Sequence, residues 1–415
     1  MQITFLIGNG FDIGLGLKTR YTEFYKEYIR LAPNDSENII KFKQELMKFQ
    51  TSPQSQIIDW SDFESAFGKY STMFTAATQD QYIECFENFV ENFNEYVWKE
   101  EEKVDYSDEK RIISVLLKAF TEYYRVLDPA DIRTINSIFK QYKDNRTINF
   151  VSFNYTKTID RLKSIVAKSW NSQVRSIGRT IHVHGTLEEN MIMGVNDASQ
   201  IKNAELAAIK SICNEIIKPS QNADVGTEYQ IITKELIENS HVICIYGMSI
   251  GATDKLWWNL IAEWLCADSN RLLIIFANST DYNKKFTFKK TKPRNMIKNR
   301  FFSMLTNGTK LRPIIENRIF VAMNRNIFEM NLCGQKVAEN VGIGSETEQL
   351  SELSAQVYQP FADFQVVLLV IMGTYRIACH IHLFAELTLG RVGHERRITW
   401  IIECKDPAFF FLLFG

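Results

Sequence analysis

The sequence has almost no net charge, no paired cysteine motif and no long apolar run, and each absence closes off a class of protein. Its 48 Lys and Arg against 49 Asp and Glu leave a formal charge of −1 over 415 residues, so the molecule as a whole is no electrostatic trap for nucleic acid or anionic lipid. The seven cysteines are odd in number and scattered, and none forms a CxxC pair. That argues against a disulfide scaffold or a four-cysteine zinc module and for reduced thiols in a cytoplasm. Even the longest apolar stretches, such as 366–372, are too short to span a bilayer. The apolar run that begins at Ile3 has no basic segment before it and no cleavage pattern after it, so no secretory leader and no membrane partner are expected.

What is present is an ordinary folded composition, 45% apolar and 23% charged, with 29 Phe that predict a largely aromatic core. The length suffices for one large domain with chain left over for a second unit. Six short β-rich runs stand out at 3–7, 148–153, 180–184, 242–246, 272–276 and 319–323. Several are nearly continuous apolar stretches, the pattern of strands buried on both faces of a parallel sheet. Segments of helical period lie between most of them, for example 201–217 and 255–265. The alternation predicts an α/β fold with a doubly wound, mostly parallel sheet over residues 1–325. A helical insertion fills 21–145, where Tyr82, Phe86, Phe89, Phe93 and Tyr96 recur at three- and four-residue steps, the mark of a core-facing helix. The insertion is expected to cap one end of the sheet. Beyond residue 325 come a polar linker, clearest at 339–356, and an apolar, weakly patterned tail of no assigned role.

Four loops are candidates for chemistry. The first strand runs into Gly8-Asn9-Gly10-Phe11-Asp12-Ile13-Gly14. Glycine lets backbone amides approach a phosphate closely, and a following helix adds its positive end. The G-x-G-x-x-x-G spacing departs from the usual dinucleotide fingerprint, so a nucleotide turn and a merely tight turn both stand. The second strand ends at Asn154, which suits a ribose hydroxyl or a positioned water, or serves as a helix N-cap. His182 and His184 alternate onto one face of the third strand, with Gly185 turning the chain after them. His184, nearest the carboxyl edge, is a general base near neutral pH or a hydrogen-bonded strand histidine. A zinc pair would need a third ligand that is not apparent, so no metal is expected. The fourth strand leads into Gly247-Met248-Ser249-Ile250-Gly251 and on to Asp254. G-x-S-x-G is also the nucleophile elbow of α/β-hydrolases, but the only later histidines, His380, His382 and His394, lie in the tail. A second glycine turn contacting phosphate or ribose is the preferred reading.

Taken together, the stretches at 7–21, 60–64, 152–156, 182–185 and 246–254 resemble, in this order, the AbiH family of bacteriophage abortive-infection proteins, over roughly residues 1–325. Trp60 and Glu64 read as a helix surface with one buried aromatic and receive no chemistry. The series is also similar to the NAD-binding core of sirtuin-like proteins. That resemblance implies nucleotide contacts at Gly8, Asn9, Gly10, Asp12, Gly247, Ser249 and Asp254, with Asn154 on the ribose and His184 as base. Deacetylase sirtuins carry a four-cysteine zinc module that this chain lacks, so the implied activity is cleavage of NAD by water. The tail departs from the family pattern and reads as an accessory segment or the product of a shifted frame.

The expectation is thus a phage-defence protein that binds NAD or a related nucleotide as substrate or ligand and hydrolyses its nicotinamide–ribose bond. A non-catalytic nucleotide sensor or scaffold, answering a phage-derived trigger or assembling with copies of itself, is the alternative. A third reading takes the run Lys284, Lys285, Lys289, Lys290, Lys292, Arg294, Lys298 and Arg300, with Phe286 and Phe288 interleaved, as a nucleic-acid surface; most such runs are solvated loops.

Overall fold

The computed structural model describes residues 1–51, 60–140, 142, 146–169, 174–224 and 229–333, and four short strands between 367 and 402. Chain contacts divide it into two compact units, Met1–Gln335 and Lys336–Gly415.

The first unit is built on six strands, β1 (Gln2–Ile7), β2 (Arg146–Ser152), β3 (Val174–His182), β4 (Val242–Tyr246), β5 (Leu272–Ala277) and β6 (Ile319–Met323). They form one sheet in the order β3-β2-β1-β4-β5-β6, with every neighbouring pair parallel. This is the doubly wound arrangement, in which strand order reverses between β1 and β4 and opens a crevice at their carboxyl ends. After β1 come α1 (Gly10–Leu15) and the insertion, α2 (Tyr21–Tyr28), α3 (Glu37–Thr51), α4 (Trp60–Tyr70), α5 (Gln79–Glu101), α6 (Glu109–Glu122) and α7 (Pro129–Phe139). Helix α8 (Thr158–Val166) follows β2, and α9 (Ala204–Ala207), α10 (Lys210–Ile216), α11 (Lys218–Asp224) and α12 (Tyr229–Glu238) follow β3. Helix α13 (Lys255–Ala267) follows β4, and α14 (Thr287–Met304) and α15 (Gly308–Ile315) follow β5.

Alternation along the strands explains the two-sided burial. Ile3, Phe5 and Ile7 pack with Phe150, Cys244 and the buried faces of α6 and α8, whereas Leu6, Val151 and Ile245 pack under α13 and α14. A third, aromatic core belongs to the insertion. The stripe Tyr82, Phe86, Phe89, Phe93 and Tyr96 is buried, and Phe89 stacks on Phe63 with ring centroids 3.8 Å apart. The same cluster takes in Leu187, Met193 and Val195 from the chain beyond β3, so the insertion is anchored to the carboxyl side of the sheet.

Three expectations shift. Strand β3 starts at Val174 and ends at His182, not 180–184. It is the sheet edge, where Arg175, Ser176 and Arg179 face solvent and dilute the apolar signal. The helical run 201–217 is broken into α9 and α10, with Asn203 capping α9 through the amides of Glu205 and Leu206. The core continues past residue 325 through Phe328, Met330 and Leu332. The linker 339–356 lies outside the described residues. In the second unit, β7 (Val367–Met372) pairs antiparallel with β8 (Tyr375–His380), and β9 (Ala385–Val392) with β10 (Glu395–Ile402). No helix among the described residues is long and apolar enough to cross a membrane.

The loops after β1 and β4 interlock. Gly8 N–H donates to Tyr246 O at 3.0 Å and Gly10 N–H to Gly247 O at 2.7 Å. A Cβ on Gly10 would lie 2.6 Å from Gly247 Cα, a backbone clash with no flexible side chain to relieve it. Gly10→Ala is therefore expected to destabilise the protein by roughly 1–3 kcal/mol, read as a lower thermal midpoint. A variant as stable as the parent would mean that these loops separate freely.

Candidate functional site

A cavity of about 600 Å³ opens at the crevice between β1 and β4, within the range of small-molecule sites. Its floor is the carboxyl edge of the sheet, and the insertion contributes Tyr21, Glu64, Phe93 and Val97 to its walls. Gly8, Asn9, Gly10, Asp12, Asn154, His184, Gly247, Ser249 and Asp254 all line it.

Several of these side chains have structural partners. Asn9 donates through Nδ2 to Thr19 O at 2.7 Å and accepts from the Thr19 hydroxyl, tying the turn to the start of α2. Asp12 is buried and accepts from the Thr156 and Thr158 hydroxyls, each at 2.7 Å. Burial pushes its carboxyl up to about 6, against the opposing pull of those hydroxyls. The stability that the protonated form contributes is lost as the pH rises through that value. Asn154 donates from Nδ2 to Gly8 O at 3.2 Å and also hydrogen-bonds Asp12. Both amide hydrogens are thereby engaged, and Oδ1 is left as the acceptor at the cavity.

The two histidines part company. His182, the last residue of β3, places Nε2 2.7 Å from Asp160 Oδ2 and Nδ1 3.2 Å from Asn154 O, so it braces the turn that carries Asn154. His184 lies beyond the strand, buried between the rings of Phe153 and Tyr155. It hydrogen-bonds the Phe153 backbone, and its Nε2 is 3.4 Å from Asp254 Oδ1. Asp254 Oδ1 is also 3.2 Å from Lys218 Nζ, and Lys218 Nζ is 2.9 Å from Glu64 Oε1. A chain Glu64–Lys218–Asp254–His184, buried except at the partly exposed Asp254, thus runs along the cavity wall. Glu64 is completed by the Gly194 amide at 3.4 Å and the Thr253 hydroxyl.

The charges in this chain follow from their neighbours. Burial raises Glu64 despite Lys218. Burial opposes the charge on Lys218, but Asp254 and Glu64 outweigh it and hold the ammonium. Asp254 likewise resists burial, because Lys218 and His184 keep its carboxyl well below the usual range. Burial and then Lys218 lower His184, with Asp254 offsetting part of the effect. Near neutral pH the imidazole is therefore uncharged, the form that accepts a proton.

Glu64 and Lys218 carry no role in the sequence reading. Glu64 is buried on an ion pair instead of lying on a helix surface. Its membership of the 60–64 stretch was a usable signal; for Lys218, at the start of α11, there was none. The hydrolase elbow is not formed. Such an elbow strains the nucleophile itself, but here the positive φ, 69°, is at Gly247, while Ser249 is not among the positive-φ residues.

The cationic run is divided by its own fold. Lys290 and Arg294 pair with Asp128, Arg294 also with Asp131, Lys298 donates to Glu316 O, and Arg300 donates to Ile250 O at 2.8 Å. Lys284, Lys285, Lys289 and Lys292 stay exposed, with Phe286 and Phe288 beside them. No group of three potential metal ligands gathers among the described residues.

Sheet order, crevice and capping insertion define a doubly wound α/β protein with a cleft at its switch point. The family model for bacteriophage abortive infection AbiH matches residues 4–276, a span that holds all nine of these site residues, the insertion and nearly all of β5. The chain belongs to the AbiH family, and with it to bacteriophage abortive infection. No curated protein matches the chain.

Removing the cation should release the imidazole. In Lys218→Met the His184 pKa is expected to move up, because one lowering influence is gone and Asp254 then serves His184 alone. Titration of imidazole resonances by NMR checks this, with the signal assigned by its loss in His184→Gln. An unchanged or lower value would show that Lys218 does not act on His184.

Proposed function

We propose that the cleft binds NAD or a related nucleotide and hydrolyses its nicotinamide–ribose bond as the effector step of abortive infection. The observation that carries this reading is the meeting of Asn154 and an uncharged His184 in one cavity with the two glycine turns. Breaking the bond sends its electron pair to the nicotinamide ring and leaves an oxocarbenium-like ribose. Water adds at the anomeric carbon and gives its proton to His184. Asn154 Oδ1 would accept from a ribose hydroxyl and fix the sugar against the imidazole. ADP-ribose and nicotinamide are the products when NAD is the substrate.

General-base help of this kind is worth about 10²- to 10⁴-fold. With purified protein and chromatographic detection of nicotinamide, His184→Ala is expected to lower turnover by that order and to leave nucleotide affinity within a few-fold. Asn154→Ala should lower both turnover and affinity. NAD consumption by His184→Ala at the parent rate would refute the assignment of the base.

One observation favours a second reading. His184 Nε2 faces Asp254, an arrangement compatible with a nucleotide sensor or scaffold that answers a phage-derived trigger without turnover. Calorimetry then shows saturable binding while chromatography shows no product.

A further inference from the structure

Apart from Arg20 at the start of α2, the charged groups that line the cavity are unevenly divided. Its carboxylates contact the β2–β3 side, where Asp12 accepts from Thr156 and Thr158 beyond β2 and Asp254 lies against His184 beyond β3. Glu64 reaches Asp254 through Lys218, whose own charge is taken up by this pair. On the β4–β6 side the lining residues are Asn278 after β5, Arg325 and Asn326 after β6, and Arg300 of α14. Beyond the β4 turn, whose Asp254 is turned to His184, no carboxylate from this side lines the cavity.

The backbone shows the same polarity. In the first glycine turn the amides that would cradle a phosphate are largely spent: Gly8 N–H on Tyr246 O, Gly10 N–H on Gly247 O and Phe11 N–H on Gly8 O. Asp12 adds a carboxylate in the first turn of α1. In the β4 turn, by contrast, the amides of Met248 and Ser249 make no hydrogen bond among the described residues. Arg300 is pinned beside them by its Nε bond to Ile250 O at 2.8 Å, which leaves the two terminal nitrogens of its guanidinium for a ligand. Arg325 makes no hydrogen bond or ion pair among the described residues.

We infer that the anion subsite of the cleft lies on its β4–β6 side, where Arg300, Arg325 and the Met248 and Ser249 amides take the diphosphate of a nucleotide. The first glycine turn is then a packing device that locks the β4 turn in place. Guanidinium groups offer forked donors that match phosphate oxygens, and unbonded turn amides add fixed dipoles. A nucleotide so held directs its ribosyl end towards Asn154 and His184. The assignment of a nucleotide rests on the function proposed above; the anion subsite itself does not.

Calorimetry with two probes, ADP-ribose and inorganic pyrophosphate, separates the two. Arg325→Met removes no bond within the protein, and Arg300→Lys keeps the charge while losing the fork. Each is expected to weaken ADP-ribose binding roughly ten- to a hundredfold, the range for a lost charged hydrogen bond. Lys292→Met, exposed on the same helix and outside the cavity, should leave it unchanged. Parent-like ADP-ribose affinity in both arginine variants would overturn the subsite and leave the nucleotide reading standing. If the parent binds pyrophosphate through these arginines but no nucleotide, the subsite stands and the nucleotide reading falls. If the parent binds neither probe, both fall.

Discussion

Two hydrogen bonds between loops remote in sequence hold the cleft in its shape. Gly8 and Gly10 donate to the carbonyls of Tyr246 and Gly247, and the contact is possible only because none of the three glycines involved carries a Cβ. It joins β1 to β4 where the strand order reverses, the place at which a doubly wound sheet opens. Asn154 extends the junction to β2 through Gly8 O, and His182 extends it to β3 through Asn154 O. The rim of the cavity is thus one hydrogen-bonded chain across four strands. Its precision is set by backbone atoms, and the side chains of Asn154 and His182 are tied to it.

A second constraint is electrostatic. Glu64, Lys218 and His184 are buried and Asp254 is largely so, and buried ion pairs seldom repay their desolvation. A fold has little reason to keep such a chain for stability alone. Its position gives a reason. It joins the insertion, the segment after β3 and the β4 turn around one imidazole, so the helical cap and His184 are set by the same contacts. Strong perturbation of titratable groups in a cleft is a general mark of functional sites.

Legibility in the sequence follows the range of the interactions involved. Strands β4 and β6 coincide with the predicted runs 242–246 and 319–323, because a strand covered on both faces writes its burial into consecutive residues. Strand β3, half exposed at the sheet edge, does not, and it was displaced. The aromatic stripe of α5 was legible from its period. At the site, order along the chain placed Asn154, His184 and both glycine turns at one sheet edge, because parallel strands all end on the same side. What these residues touch was not legible. The Lys218–Glu64 pair joins two helices far apart in sequence, and neither residue announces the other. The amides of Gly8 and Gly10 read as donors for phosphate, whereas the partner that takes them is a carbonyl of the opposite loop. The run 284–300 reads as one basic strip, yet helix formation turns Arg294 and Lys298 inward to Asp128 and Glu316 O.

Chain membership in the AbiH family supplies the biological setting, and the cleft supplies a chemistry to test within it. Its polarity, anion-binding on one side and imidazole-bearing on the other, is the claim on which that chemistry rests. The most direct measurement is a crystal structure of the protein soaked with ADP-ribose. The account predicts a diphosphate against Arg300, Arg325 and the turn after β4, with the terminal ribose at Asn154 and His184. A ligand bound in the opposite direction, or outside the cleft, would contradict it.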